Sequence, residues 1–310
     1  MLAFIEAILA STLDFAPPVL FAALGGMLSE RAGIVALGLE GMMRLSAFFA
    51  AVGTLATGNP WLGLCCGMGA AGLAALGHAW LAIRWRSDQI ISGVAINLVA
   101  LAGVTFLVEA LYGSTDTTGS ATIGKLELGF LSDLPVVRAL SNHSWLTWIA
   151  LLLPVALHAL FYATPLGLRI LAVGEKPAAA ATLGVDVAAI RYGCVVVGGL
   201  LAGMGGAALS ISTLDRFSNH MPAGQGFIAL AAVIFGKWTP FGACGAALFF
   251  AAANALRIGL ESSVPGVQEF LPSGVLLALP YALTLCLLAG FIGRAQAPAA
   301  SGIPFDTERR

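Results

Sequence analysis

Charge is what this sequence has least of. Lys and Arg number 15 and Asp and Glu 16 in 310 residues, 10% of the chain, against 59% hydrophobic residues; the mean hydropathy is +0.92. Soluble domains carry roughly 25% charged residues, so that class is excluded and the chain reads as a membrane protein. The net charge of −1 decides nothing by itself, and no nucleic-acid partner is expected of a chain that reads as a membrane protein. Cysteine is scarce too: Cys65, Cys66, Cys194, Cys244 and Cys286 all fall in apolar runs without C-x-x-C spacing, so they are read as small buried residues, and no metal centre is expected. There is no G-x-x-x-x-G-K-[ST] phosphate loop, because Gly124-Lys125 is followed by Leu126 and Gly236-Lys237 by Trp238. H-E-x-x-H and G-x-S-x-G are missing as well. Any ATP hydrolysis must therefore occur on another polypeptide, an intramembrane enzyme has no motif to support it, and no cofactor is expected. The opening MLAFIEAILASTLDF lacks a basic leader and carries Glu6 and Asp14, which predicts a retained first helix rather than a cleaved signal.

What is present is apolar sequence punctuated by 38 glycines and 14 prolines, a composition that transmembrane helices tolerate. Windows of roughly 20 residues, the length that crosses a hydrocarbon core of about 30 Å, fall at 10–29, 34–57, 61–83, 90–112, 145–163, 192–213, 226–236, 240–259 and 272–293. The seventh is too short to cross alone and reads as a half-helix joined to the next through Gly236-Lys237-Trp238-Thr239-Pro240. The expected fold is all-α: a polytopic bundle of eight or nine transmembrane helices, some interrupted, arranged as two repeated halves. Placing the loops after spans one, three, five and seven on one side gathers most of the basic residues there, Arg31, Arg84, Arg86, Lys176 and Arg191 among them. The other side receives Lys125, Arg138, Arg216 and Arg257. That bias places the first set in the cytoplasm and the N-terminus outside. The domain is expected over 1–293, with 294–310 a cytoplasmic tail whose composition predicts disorder. The long loop from Gly113 to Ser144, containing GSTDTTGSATIGKLELGFLSD, is either a plain extracellular loop or a cap facing a partner.

One polar stretch stands out, GEKPAAAATLGVDVAAIR at Gly174–Arg191, within the loop 164–191. Pro177 suits a first helical position, AAAATL favours helix, and Gly184 can close it, predicting about two turns over Pro177–Leu183; Asp186 can cap the next helix. So short a helix is not stable in water alone. Four alanines offer little apolar area to lipid but allow close approach, which favours docking of a cytoplasmic partner over an interfacial helix.

The run GLRILAVGEKPAAAATLGVDVAAIRY resembles the coupling segment of bacterial ABC importer permeases of the branched-chain amino acid, ribose and nucleoside group. LSERAGIVALGLEGMM, SDQIISGVAINLVAL and GQGFIALAAVIFGKWTPFG agree, in order, with its simple-sugar and nucleoside branch. The resemblance spans roughly residues 10–293. It implies a permease subunit of the bacterial inner membrane that pairs with a second permease, binds a separate ABC ATPase, and receives solute from an extracytoplasmic binding protein. Members serve nucleosides, sugars and, in some cases, riboflavin. By the family pattern Gly174, Glu175, Pro177, Ala180, Leu183 and Gly184 lie at the ATPase contact.

Polar residues at membrane depth are candidates for the solute path. Glu40 and Arg44 stand at helical i,i+4 spacing and can pair, either as a structural ion pair or at the solute. Asn97 either bridges helices or bonds a solute. His78 and His158 read as satisfied interior or interfacial histidines. Gly33–Leu37 and Gly226–Leu230 share the pattern G-φ-φ-A-L (φ apolar), each after a polar break, as interrupted helices of repeated halves would be. Glu40, Asn97, Phe217, Asn219 and Gln225 are therefore expected to line the path, Phe217 offering a stacking face. A secondary transporter driven by an ion gradient is the rival, with Glu40 as its chief ion site. Replacing Ala180 by a bulky charged residue is expected to abolish transport, measured as solute uptake, without preventing membrane insertion.

Overall fold

The computed structural model describes residues 2–127, 139, 141–263 and 295–305. Among them, seven helices are long and apolar enough to cross a membrane. They are α1 (Leu2–Arg31), α2 (Leu39–Thr57), α3 (Pro60–Ala79), α4 (Gln89–Tyr112), α5 (Trp145–Ala163), α8 (Val187–Ala208) and α10 (Pro240–Ser263), with the shorter α6 (Pro165–Glu175), α7 (Pro177–Thr182) and α9 (Gln225–Phe235) between them. The expected polytopic helical bundle is present, and the first six expected spans and the eighth each coincide with one long helix. The ninth, 272–293, lies outside the described residues. Three starts differ: α1 begins at Leu2 and α8 at Val187, ahead of the expected 10 and 192, and α2 begins at Leu39 rather than residue 34, because 32–38 form a turn and extended backbone.

The helix starts follow local chemistry. Asn59 accepts from the Trp61 N–H at 2.9 Å with Pro60 in the first helical position of α3, and Asp88 caps α4 through the N–H groups of Ile90 and Ile91. Ser144 and Asp186 cap α5 and α8. Single π-turns, Trp80–Arg84 and Leu209–Thr213, extend α3 and α8.

At the centre of the bundle is α8, packed on α1, α2 and α3. Its sequence GGLLAGMGGAA makes this possible. A Cβ on Gly198 would collide with the Gly25 carbonyl of α1, one on Gly206 with Met43 of α2, and one on Gly203 would lie 2.9 Å from Ala71 of α3. Small residues let these backbones meet, which is how helices gain dispersion energy where lipid supplies no hydrophobic drive between them. Ser46 adds a hydrogen bond to the Gly203 carbonyl at 2.5 Å. By contrast α4 leaves Leu98, Val99 and Phe106 on its outer face.

Away from the bundle, β1 (Lys125–Glu127) and β2 (Asn142–Ser144) form an antiparallel pair. Residues 115–120 bond to 215–219 through the Asp116–Ser218 bridge and the Thr117–Phe217 and Asn219–Thr115 backbone bonds, so this part of the long loop folds onto the segment after α8. His143 fastens the pair to α1: Nδ1 lies 2.8 Å from Asp14 Oδ1 and Nε2 2.6 Å from the Ala139 carbonyl. Burial and nearby Lys125 disfavour its charge, but with acceptors at both nitrogens the imidazolium wins and its pKa is raised. The attachment therefore contributes fully below the ordinary value near 6.5 and is lost as pH rises through the raised folded value. Thermal stability of the purified protein is expected to fall across that window, and Asp14→Asn should flatten the fall.

Candidate functional site

In the α1–α2 break, 32–38, the N–H groups of Ala32, Gly33 and Ile34 still turn back to carbonyls at the end of α1 and the Gly38 carbonyl accepts from Met42, but the buried peptide groups left over must find other partners. Side chains from four helices supply them. From α1, Ser29 donates to the Ile34 carbonyl at 2.9 Å and Glu30 accepts from the Ala36 N–H at 3.3 Å. His78 of α3 bonds the Val35 carbonyl at 3.0 Å through Nε2 and Ser92 of α4 at 2.9 Å through Nδ1, so it is the satisfied interior histidine expected. Gln89 of α4 accepts from the Val35 N–H at 2.8 Å, and Arg191 of α8 donates to the Ala32 carbonyl at 3.2 Å. Asn97 of α4 closes the set: its Nδ2 donates to the Leu37 carbonyl at 2.9 Å and its Oδ1 accepts from the Gly41 N–H at 2.8 Å. Of its two sequence readings, Asn97 takes the bridging one.

Opposite the start of α2 lies the start of α9. At about 1.5 Å per residue its 11 residues span about half a hydrocarbon core. Glu40 Oε1 accepts from the Gly224 N–H at 2.9 Å and Oε2 from the Gly226 N–H at 2.8 Å, so a carboxylate from another helix sits on the positive end of α9. Gly226 is glycine because its Cβ would lie 2.5 Å from the Glu40 Cα. Glu40 and Arg44 thus do not form the direct pair that their spacing allows. Arg44 instead donates to the Asn219 carbonyl at 2.6 Å, and Asn219 Oδ1 also accepts from Thr105 of α4 at 3.0 Å. Phe217 is fully buried against Phe48, with ring centroids 5.5 Å apart and nearly perpendicular, so it serves as packing here. The Gln225 Oε1 is buried without a hydrogen-bond partner among the described residues. Of the five residues expected on the solute path, Glu40, Asn97, Asn219 and Gln225 therefore gather around the first turns of α2 and the start of α9, whereas Phe217 packs farther along α2, at Phe48. The pentapeptide echo does not extend to conformation: Gly33–Leu37 is non-helical, whereas Gly226–Leu230 opens α9.

The other ends of these elements also meet. Trp238, in the break after α9, donates from Nε1 to Glu30 at 2.5 Å, and its carbonyl accepts from Arg31 at 2.6 Å. Lys237 and Trp238 both have positive φ, 52° and 53°, so the α9–α10 break is a strained reversal, as the half-helix reading required.

The expected short helix is present as α7, closed by Gly184 at φ +81° with the Val185 N–H returning to the Ala180 carbonyl at 3.1 Å. Its support is internal. Ala180 is 3% exposed and packs with Val173, Val187 and Phe305, and Gly174 is buried where a Cβ would collide with the Arg31 carbonyl. Of the six residues expected at the ATPase contact, Glu175, Leu183 and Gly184 are exposed, Pro177 is half-buried, and Gly174 and Ala180 face their own chain. A bulky charge at Ala180 would thus unseat α7 from within and does not isolate docking; Leu183, 84% exposed, does. Ala178 and Ala179 of the alanine ridge are exposed, and sequence reading missed that the segment 295–305 lies against α6 and α7. A polar cavity of about 250 Å³ lies elsewhere, between α1, α5 and the two strands, lined by Asp14, Lys125, Ser144 and Thr147.

Glu40→Gln keeps one carboxamide oxygen and replaces the second acceptor by a donor, leaving one α9 N–H unpaired. That is expected to cost about 1–3 kcal/mol, read as a lower midpoint in thermal unfolding, and to reduce uptake.

The sequence matches the family of branched-chain amino acid transport system permease components over residues 8–280. It is 41% identical to the guanosine ABC transporter permease protein of Bacillus subtilis (strain 168), over 98% of this chain and 97% of that one. A nucleoside ABC transporter permease protein of Lactococcus lactis subsp. cremoris is 37% identical over 97% of each chain, and a putative glucose ABC transporter permease protein of Haloferax volcanii 37% over 84% of this chain and 80% of its own. The breaks between helices, the half-length α9 and the braced α7 are thus features of a membrane-spanning transport subunit, and the chain belongs to the family of branched-chain amino acid transport system permease components.

Proposed function

We propose that this chain is the permease subunit of an ATP-driven importer of nucleosides, working with a separate ABC ATPase, a second permease chain and an extracytoplasmic binding protein. The observation that carries this reading is the end-to-end similarity to the guanosine permease. The simple-sugar alternative rests on the Haloferax relative. The bias of Lys and Arg puts the end of the bundle holding Arg31, Lys176, Arg191 and Lys237 in the cytoplasm, with the N-terminus outside. In support, Arg31 bonds the break after α9, and Arg191 bonds the backbone beside Arg31.

In this reading α7 is the coupling element. Its exposed surface, from Glu175 through Ala178 and Ala179 to Leu183 and Gly184, meets the ATPase, while Gly174, Pro177 and Ala180 seat it on the permease. The solute passes beside Glu40, Asn97, Phe217, Asn219 and Gln225. Most of their polar groups are already engaged in bracing the two helix starts, so the route opens by separating α2 from α9. The unpartnered Gln225 Oε1 is the group available to accept from a solute N–H or O–H. An ion-driven mechanism would place its ion at Glu40, but both carboxylate oxygens there accept backbone N–H groups.

Uptake of radiolabelled guanosine by proteoliposomes carrying the full complex and internal ATP is expected to be abolished by vanadate and to survive an uncoupler, with unlabelled nucleosides competing and glucose not. Glucose competition would move the assignment to sugars, and vanadate-resistant uptake would overturn it. Leu183→Asp should remove the ATPase from the purified complex while leaving the amount of permease in the membrane unchanged.

A further inference from the structure

Residues 295–305 were expected to be disordered, yet they reach into the most constrained part of the molecule. Their hydrogen bonds are to two helix breaks that are far apart in sequence. The Ala300 N–H donates to the Gly174 carbonyl at 2.9 Å, at the α6–α7 elbow, and the Gly302 N–H donates to the Gly33 carbonyl at 3.2 Å, in the α1–α2 break. Arg191 lies between the two attachments, with Nη1 donating to the Ile303 carbonyl and Nε to the Ala32 carbonyl, both at 3.2 Å. Glu175 accepts from the Ala299 N–H at 3.3 Å. Further along, Phe305 joins the Val173, Ala180 and Val187 cluster that seats α7.

The fit is steric as well as polar. The segment turns back on itself through Ser301 N–H to Pro298 and Ile303 N–H to Ala300, with Gly302 at φ +76°. The receiving glycines leave it room. A Cβ on Gly33 would lie 3.1 Å from the Ala300 carbonyl oxygen and 2.9 Å from Arg191 Nη2, and one on Gly174 would lie 3.6 Å from Pro298. Ala300 is 5% exposed. A segment that only covered the surface would not satisfy the backbone of both breaks.

We propose that residues 298–305 are a coupling strap, tying the α6–α7 elbow to the α1–α2 break so that displacement of α7 reaches the Glu40–α9 junction through this segment as well as through α8. The inference rests on α7 being the ATPase-coupling element. The strap's links run in series: Phe305 and Ala300 hold the α7 side, Gly302 holds Gly33, and from there the backbone leads seven residues to Glu40. Without the strap α7 still presents Leu183 to its partner, but among the described residues its movement reaches the break along α8 and through the packing of Gly174 on Arg31.

The test uses the complete complex in proteoliposomes, comparing the full chain with a deletion of 298–305, with Phe305→Ala, and with Phe305→Leu as the conservative control. Co-purified ATPase, ATP hydrolysis and solute uptake are measured on the same samples. The deletion is expected to retain the ATPase and its basal hydrolysis while uptake per ATP falls by roughly tenfold, within the range typical of coupling between sites. Phe305→Ala should show a smaller loss in the same ratio, and Phe305→Leu should restore it. Wild-type uptake per ATP in the deletion overturns the strap, and so does loss of the ATPase from the deleted complex, which would make the segment part of the docking surface. If the deletion yields no folded protein, the ratio measured for Phe305→Ala decides by the same criterion. A wild-type complex that carries no ATPase is a different result, and it refutes the coupling role of α7 itself.

Discussion

Seven residues of unwound backbone, 32–38, constrain the rest of the structure. In an apolar setting each unpaired peptide group is costly, and a continuous helix through this stretch would have satisfied its own bonds. The chain interrupts the helix and brings side chains from α1, α3, α4 and α8 to the exposed peptide groups. That choice fixes the polar residues around it: His78, Gln89, Asn97 and Arg191 each bond a break carbonyl or N–H. It also turns the start of α2 toward the start of α9, where one carboxylate serves both elements.

A second break follows the same logic. At the α6–α7 elbow the buried Gly174 carbonyl is taken up by Ala300, and the short α7 rests on apolar residues of its own chain. A six-residue helix needs tertiary support, and the permease supplies it before any partner arrives. The ridge is therefore preorganised, and under the coupling role proposed for it a docking protein would meet an ordered surface and would not bear the entropy of folding it.

Much of this was legible in the sequence, and the reason is hydropathy. In a bilayer, length and apolarity determine a span almost alone, so the six crossings before the half-helix and the one after it fall where the windows put them. Pro177 and Gly184 likewise marked α7 to within one residue, because both act through local backbone preferences. What sequence spacing could not give was partner choice. Glu40 and Arg44 share a helical face and still bond elsewhere, since an α9 N-terminus and an Asn219 carbonyl stand closer to them than they do to each other. The pentapeptide echo misled because a shared pattern of glycine and apolar residues takes its conformation from what packs on it. The attachment of 295–305 was invisible for a related reason: the segment makes its hydrogen bonds through its own main chain, and a stretch rich in Ala, Pro, Ser and Gly carries the same composition whether it is docked or free.

The glycine-lined contacts of α8 carry a consequence for motion. Helices whose backbones touch cannot slide without opening voids along the whole seam, so α8 and its neighbours α1, α2 and α3 form a keel that turns as one piece. Among the described residues this leaves the joints where the keel ends as the places free to move: the reversal at Lys237–Trp238, the facing tips of α2 and α9, and the elbow beside α7.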